Sequence, residues 1–99
     1  MSSQAKRDMR DIGDYIAYTL LQPEAAFRLI EGLEKTVESL KLFPKRHGLV
    51  REPVLRCDQI RCIPYQKYYI FYKVIETKNI VLIVRVGFNR RNWKEILLK

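Results

Sequence analysis

The spacing of apolar residues changes once along this chain, and that change limits the folds open to it. Up to residue 42 they recur at three- and four-residue steps; from residue 54 they follow strand spacing. Ala5, Met9, Ile12, Ile16 and Leu20 share one face of a helix expected over residues 3–20, with Ser2 or Ser3 as its cap. Lys6, Arg7, Asp8, Arg10, Asp11 and Asp14 then cover the other, solvated side. Gln22-Pro23 interrupts this helix and starts another. A proline in the first turn gives up an N–H that has no helical partner anyway, and Glu24 complements the positive end of the helix dipole. Ala26, Ile30, Leu33, Val37 and Leu40 form the second stripe, widened by Leu29, and Phe43-Pro44 ends it near Leu42. So short a connection folds the two helices into an antiparallel hairpin.

The second half is expected to supply a sheet. Residues 45–53 read as a loop in which His47 has no acid or cysteine partner in view, so it is expected in solvent rather than in catalysis. Val54 to Arg56 is a candidate short extended piece. Ile60 to Ile63 is a strand stopped by Pro64, Tyr68 to Glu76 is a second, and Thr77-Lys78-Asn79 is a compact turn. Ile80 to Val86 is almost continuously apolar and is expected as a central strand buried on both faces. Gly87 ends it, and Trp93 to Leu98 suits one or two helical turns. The expected fold is α+β: an N-terminal helix hairpin packed on an antiparallel sheet of three to four strands, with a short C-terminal helix. Residues 1–99 form a single domain with no repeat, linker or low-complexity segment.

Composition excludes several classes. Hydrophobic residues at 47% and charged residues at 30% argue against a disordered chain. No apolar run approaches the roughly 18 residues of a membrane span, and Met1 to Arg10 is polar, unlike a secretory signal. A cytoplasmic protein with no membrane partner is expected. Cys57 and Cys62 are too few and too oddly spaced for a disulfide framework or a zinc site; Cys62 reads as core packing. The net charge of +8 is uneven. Residues 1–50 hold eight cations and seven carboxylates, whereas residues 51–99 hold eleven and four. A positive half of this kind points to a polyanionic partner, either nucleic acid or an acidic protein.

There is no phosphate-binding glycine loop, no His/Cys ligand spacing and no Ser-His-Asp signal, so neither metal nor cofactor is expected. What remains is a basic and aromatic set on or near the strands. Its cations are Arg56, Arg61, Lys67, Lys73, Arg85, Arg90 and Arg91; its rings include Tyr65, Tyr68, Tyr69, Phe71, Tyr72, Phe88 and Trp93. Alternate residues of the run Tyr68 to Tyr72 must face the helices. Arg61 and Arg85 each interrupt an apolar strand, and an unpaired buried charge is costly. Each therefore faces the open side of the sheet, reaches a strand end, or pairs with Asp58, Glu76 or a helix carboxylate. On the open side they would form a positive floor flanked by rings, suited to RNA phosphates and bases.

The order of these segments resembles the RelE/ParE superfamily of type II toxin–antitoxin toxins. The matching segments begin with Ala5-Lys6-Arg7-Asp8, Asp11-Ile12, Asp14-Tyr15-Ile16 and Pro23-Glu24-Ala25-Ala26. Ser39-Leu40 with Phe43-Pro44 follows, then Ile60-Arg61-Cys62-Ile63-Pro64 and Tyr68 to Val74. Ile83-Val84-Arg85-Val86 and Asn89-Arg90-Arg91-Asn92-Trp93 complete the likeness, which covers nearly the whole chain. Such proteins are small and basic, and a cognate antitoxin neutralises them by wrapping its tail around them. Members usually open on a β-strand; here Met1-Ser2-Ser3 is too short to pair, which leaves a sheet edge exposed.

The resemblance implies one of two activities. RelE-like members cleave mRNA in the ribosome, using Lys, Arg and Tyr without a metal. ParE-like members inhibit DNA gyrase and lack that set. Cleavage by the 2′-hydroxyl needs a proton acceptor, a proton donor and cations to offset the charge of the phosphorane. Arg61, Arg85, Arg90 and Arg91 are the candidate cations and Tyr69 occupies a strand position where the nuclease type has arginine. Lys67, Tyr68, Lys73 and Arg56 are candidate RNA contacts. The terminal tyrosine of the nuclease type has no counterpart, since Trp93 has no phenolic proton. The expectation favours a ribosome-dependent endoribonuclease with ribosome and mRNA as targets. The alternatives are a gyrase inhibitor that catalyses nothing and a basic nucleic-acid-binding module.

Overall fold

The computed structural model describes residues 1–42, 44 and 59–88. Helix α1 spans Ser3–Asp14 and continues as a π-helical turn, Tyr15–Thr19; helix α2 spans Pro23–Ser39. Three strands follow: β1, Arg61–Tyr65; β2, Tyr68–Ile75; and β3, Ile80–Phe88. The sheet order is β1-β2-β3 and both pairings are antiparallel. This is the α+β arrangement expected of the sequence, a helix pair packed on an antiparallel sheet. Residues 54–56 and 93–98, the expected loop 45–53 with His47, and Cys57 lie outside the described residues.

Ser2 caps α1 as expected, its side-chain oxygen accepting from the Ala5 N–H at 3.0 Å. Gly13 of α1 lies against Ile30 of α2, residues about equally far from the connection, as an antiparallel pair requires. The first helix is not α-helical to Leu20. From Tyr15 it widens to a π turn, and Leu21 then takes a left-handed conformation, φ 54°. No helix among the described residues is long and apolar enough to cross a membrane.

The main core lies between helices and sheet. Ala5, Met9, Leu29, Leu33 and Leu40 meet Ile63, Ile70, Tyr72, Ile83 and Val86 there. Ile60 and Phe71, with Cys62, Tyr69 and Val84 beside them, form a smaller cluster. The alternation along β2 follows the expectation: Tyr68, Ile70 and Tyr72 join the helix-side core, and Tyr69 and Phe71 the other cluster.

Three strand expectations are corrected. Pro64 does not stop β1, which runs on to Tyr65. Proline is tolerated there because β1 ends the order of described strands and pairs only with β2. Nor is Ile80 to Val86 central among the described strands: β2 is, and β3 is the other outer one. Only Ile83 and Val86 of β3 are buried. Its long apolar run reflects a change of phase. A bulge opposite Phe71/Tyr72 switches the helix-facing residues from Val81 and Ile83 to Val86. Gly87 does not end the strand, which keeps pairing with β2 through Gly87 and Phe88, opposite Tyr69 and Tyr68.

The outer edge of β3 is met by the start of α1. Ser2 donates its backbone N–H to the Ile83 carbonyl at 2.9 Å and its hydroxyl to the Val84 carbonyl at 3.0 Å. The segment expected to be too short to pair thus supplies one backbone and one side-chain bond to that edge.

Candidate functional site

A buried polar contact is built at the bulge on β3. Arg85 donates from Nε to Asp8 Oδ2 at 2.7 Å and from Nη2 to Asp8 Oδ1 at 3.0 Å, a bidentate pair. The Val86 backbone N–H donates to the same Oδ2 at 3.0 Å, and Gln4 Nε2 reaches Oδ1 at 3.3 Å. Asp8 is only 9% exposed. The expected solvated position for Asp8 is therefore overturned. Its carboxylate tolerates burial because four donors converge on it. Of the three alternatives open to Arg85, the structure selects pairing with a helix carboxylate, so Arg85 is not part of an open positive floor.

The sequence held a signal for Asp8. It lies three residues after Ala5 and four before Ile12, hence on the buried stripe rather than opposite it. A carboxylate on that stripe calls for a cation from the sheet, and β3 carries one.

The remaining candidates do not gather at one place. Arg61 is half-buried and registers with Tyr72, whose side chain belongs to the helix-side core. Tyr69 belongs to the other cluster, across the sheet. Lys73, two residues after Phe71, shares the Tyr69 side, and Lys67 is exposed in the β1–β2 turn. Tyr68 packs edge-to-face on Phe88 at 5.5 Å between ring centroids. Burial, and then the neighbouring Tyr15, push the Tyr68 phenol above the ordinary value of 10.0. A base for the 2′-hydroxyl needs a shift the other way. Arg56, Arg90 and Arg91 lie outside the described residues.

An open groove of about 340 Å³ runs between the end of α2 and the β2–β3 turn, lined by Val37, Lys41, Val74, Asn79, Ile80 and Val81 among others. Among the described residues its lining holds one cation, Lys41, on an apolar floor. Such a lining offers no acid–base pair and fits contact rather than catalysis.

These features describe a small basic helix-hairpin and sheet domain whose best-placed strand arginine is held by its own helix. A family model described as the ParE toxin of the type II toxin-antitoxin system, parDE, matches residues 1–93. A search of curated proteins finds no match. A toxin of a type II module has a cognate antitoxin as its partner. The chain belongs to the ParE toxin family of type II toxin–antitoxin systems.

Proposed function

We propose that this toxin arrests growth by binding DNA gyrase and catalyses no reaction of its own. The carrying observation is the commitment of Arg85 to Asp8. A guanidinium held by two hydrogen bonds to a buried carboxylate is already neutralised. It has little to offer a phosphorane. Two further observations support the reading. Arg61 and Tyr69 belong to opposite sides of the sheet, and the Tyr68 phenol is shifted away from base strength. Family membership in ParE leans the same way. Ribosome-dependent mRNA cleavage, favoured by the basic and aromatic second half of the sequence, draws less support once these placements are known.

The test uses purified toxin in two parallel assays. Gyrase supercoiling should fall with toxin dose, and added antitoxin should restore it. In a cell-free translation reaction, primer extension should find the mRNA intact. Normal supercoiling at high toxin excess, or ribosome-dependent cuts at defined codon positions, would overturn the proposal.

A further inference from the structure

One stretch of this basic chain carries no cation. Residues 11–27 contain Asp11, Asp14 and Glu24 and neither Lys nor Arg, although the chain has 19 of these; elsewhere no gap between successive cations exceeds six residues. The stretch is the closed end of the helix hairpin, from the last turn of α1 through the π turn to the start of α2. All three carboxylates are exposed, and none has an ion-pair partner among the described residues.

The same stretch exposes Tyr15, Tyr18, Leu20, Leu21 and Phe27, five of the nine large hydrophobics that are exposed among the described residues. Tyr18 is 75% exposed, Leu21 79% and Phe27 68%. Scattered single apolar residues on a surface need no explanation, but a cluster with aromatic anchors does. Leu21 is also held at φ 54°, a region that costs a leucine free energy and persists only where the surroundings enforce it.

We propose that this acidic, aromatic hairpin tip is the surface with which the toxin grips its protein target, and that the target presents a basic patch with apolar pockets. Charge selects the occupant. Nucleic acid and anionic lipid are repelled by the three carboxylates, as is an acidic antitoxin segment, whose complement is the half of the chain with eleven cations and four carboxylates. A tip-to-tip dimer sets three carboxylates against three. A basic protein surface is attracted and can seat the rings, which exclude water around the charges. The inference rests on the reading of this chain as a toxin that acts by binding, and it gives the toxin separate surfaces for target and antitoxin.

Two full-length variants test it. Tyr18→Ser with Phe27→Ser removes anchors; Asp11→Lys with Asp14→Lys reverses charge at solvent-facing positions. Growth arrest on induction is the first readout, because it requires no knowledge of the target. Affinity for the cognate antitoxin is the second, and thermal melting checks the fold. Each variant should need about tenfold or more toxin to arrest growth, the loss expected for interface anchors, with antitoxin affinity within about twofold of the parent. Half-inhibition of gyrase should shift in parallel and weaken as salt rises. If the parent toxin leaves gyrase untouched, the gyrase reading falls while the growth readout still judges the tip. Full arrest by both variants overturns the inference, as does parallel loss of antitoxin binding in stably folded variants or a dimer of this chain that the variants abolish. If the serine variant melts early, the lysine variant decides.

Discussion

At the scale of single residues, the Asp8 carboxylate joins the helix layer to the sheet. It takes two hydrogen bonds from Arg85, one from the Val86 backbone and one from Gln4. Asp8→Ala leaves a guanidinium and a backbone N–H without their acceptor in a largely buried place. It should cost about 3–5 kcal/mol, read as a lower urea midpoint. Adding Arg85→Ala should recover part of that loss, because the stranded charge goes with it. Tyr68 makes a pH-dependent contribution. Its folded phenol is raised above 10.0 by burial and by Tyr15, so the folded state holds its proton more tightly than the unfolded chain. The contribution is fully present below pH 10 and is lost as pH climbs through the raised value. The urea midpoint should fall above pH 10, and Tyr68→Phe should flatten that fall. Half of Asp8's role was legible in its helical spacing. The tertiary neighbour that made burial tolerable was not, because Arg85 is 77 residues away.

At the scale of elements, helix boundaries followed local chemistry closely: Ser2 caps, Pro23 starts, and Pro44 lies just beyond the last turns. The approach of α2 to β1 turns on a glycine. A Cβ on Gly32 would fall on the Tyr65 hydroxyl, with Cζ only 2.5 Å away. Alanine improves helix propensity by about 1 kcal/mol, but overpacking costs about 1–3. Gly32→Ala should therefore lower stability by about 1 kcal/mol alone, and raise it in a Tyr65→Ala background; thermal melts of the four combinations check the change of sign. No periodicity announces this contact, since a glycine in a helix reads only as a weak helix former. Strand assignments went astray for a related reason. The apolar run of β3 resembles a central strand because the bulge places apolar residues on both phases. Which strand is central depends on pairing order, and an apolar run does not encode that.

At the scale of the whole molecule, charge is partitioned. The excess of cations lies in residues 51–99, and the hairpin tip, residues 11–27, is the one long cation-free stretch of the chain. On the proposal above, the toxin keeps its antitoxin and its protein target apart by such a division. The decisive prediction belongs here: supercoiling should be inhibited by the toxin and restored by antitoxin, with mRNA uncut throughout. The sheet edge gives a second. Ser2 bonds to Ile83 and Val84 as well as capping α1, so Ser2→Ala should cost about 1 kcal/mol and speed amide exchange along β3. The sequence by itself determined the fold class, the helix hairpin and the strand spans within a few residues, because helix and strand periods, caps and breakers are local signals. The tertiary structure alone decided that Arg85 pairs with Asp8, that Arg61 and Tyr69 part to opposite sides, and that β3 meets the start of α1. Each of these depends on which distant residues share a neighbourhood, and in this chain a single bulge in β3 changes which residues face the helices.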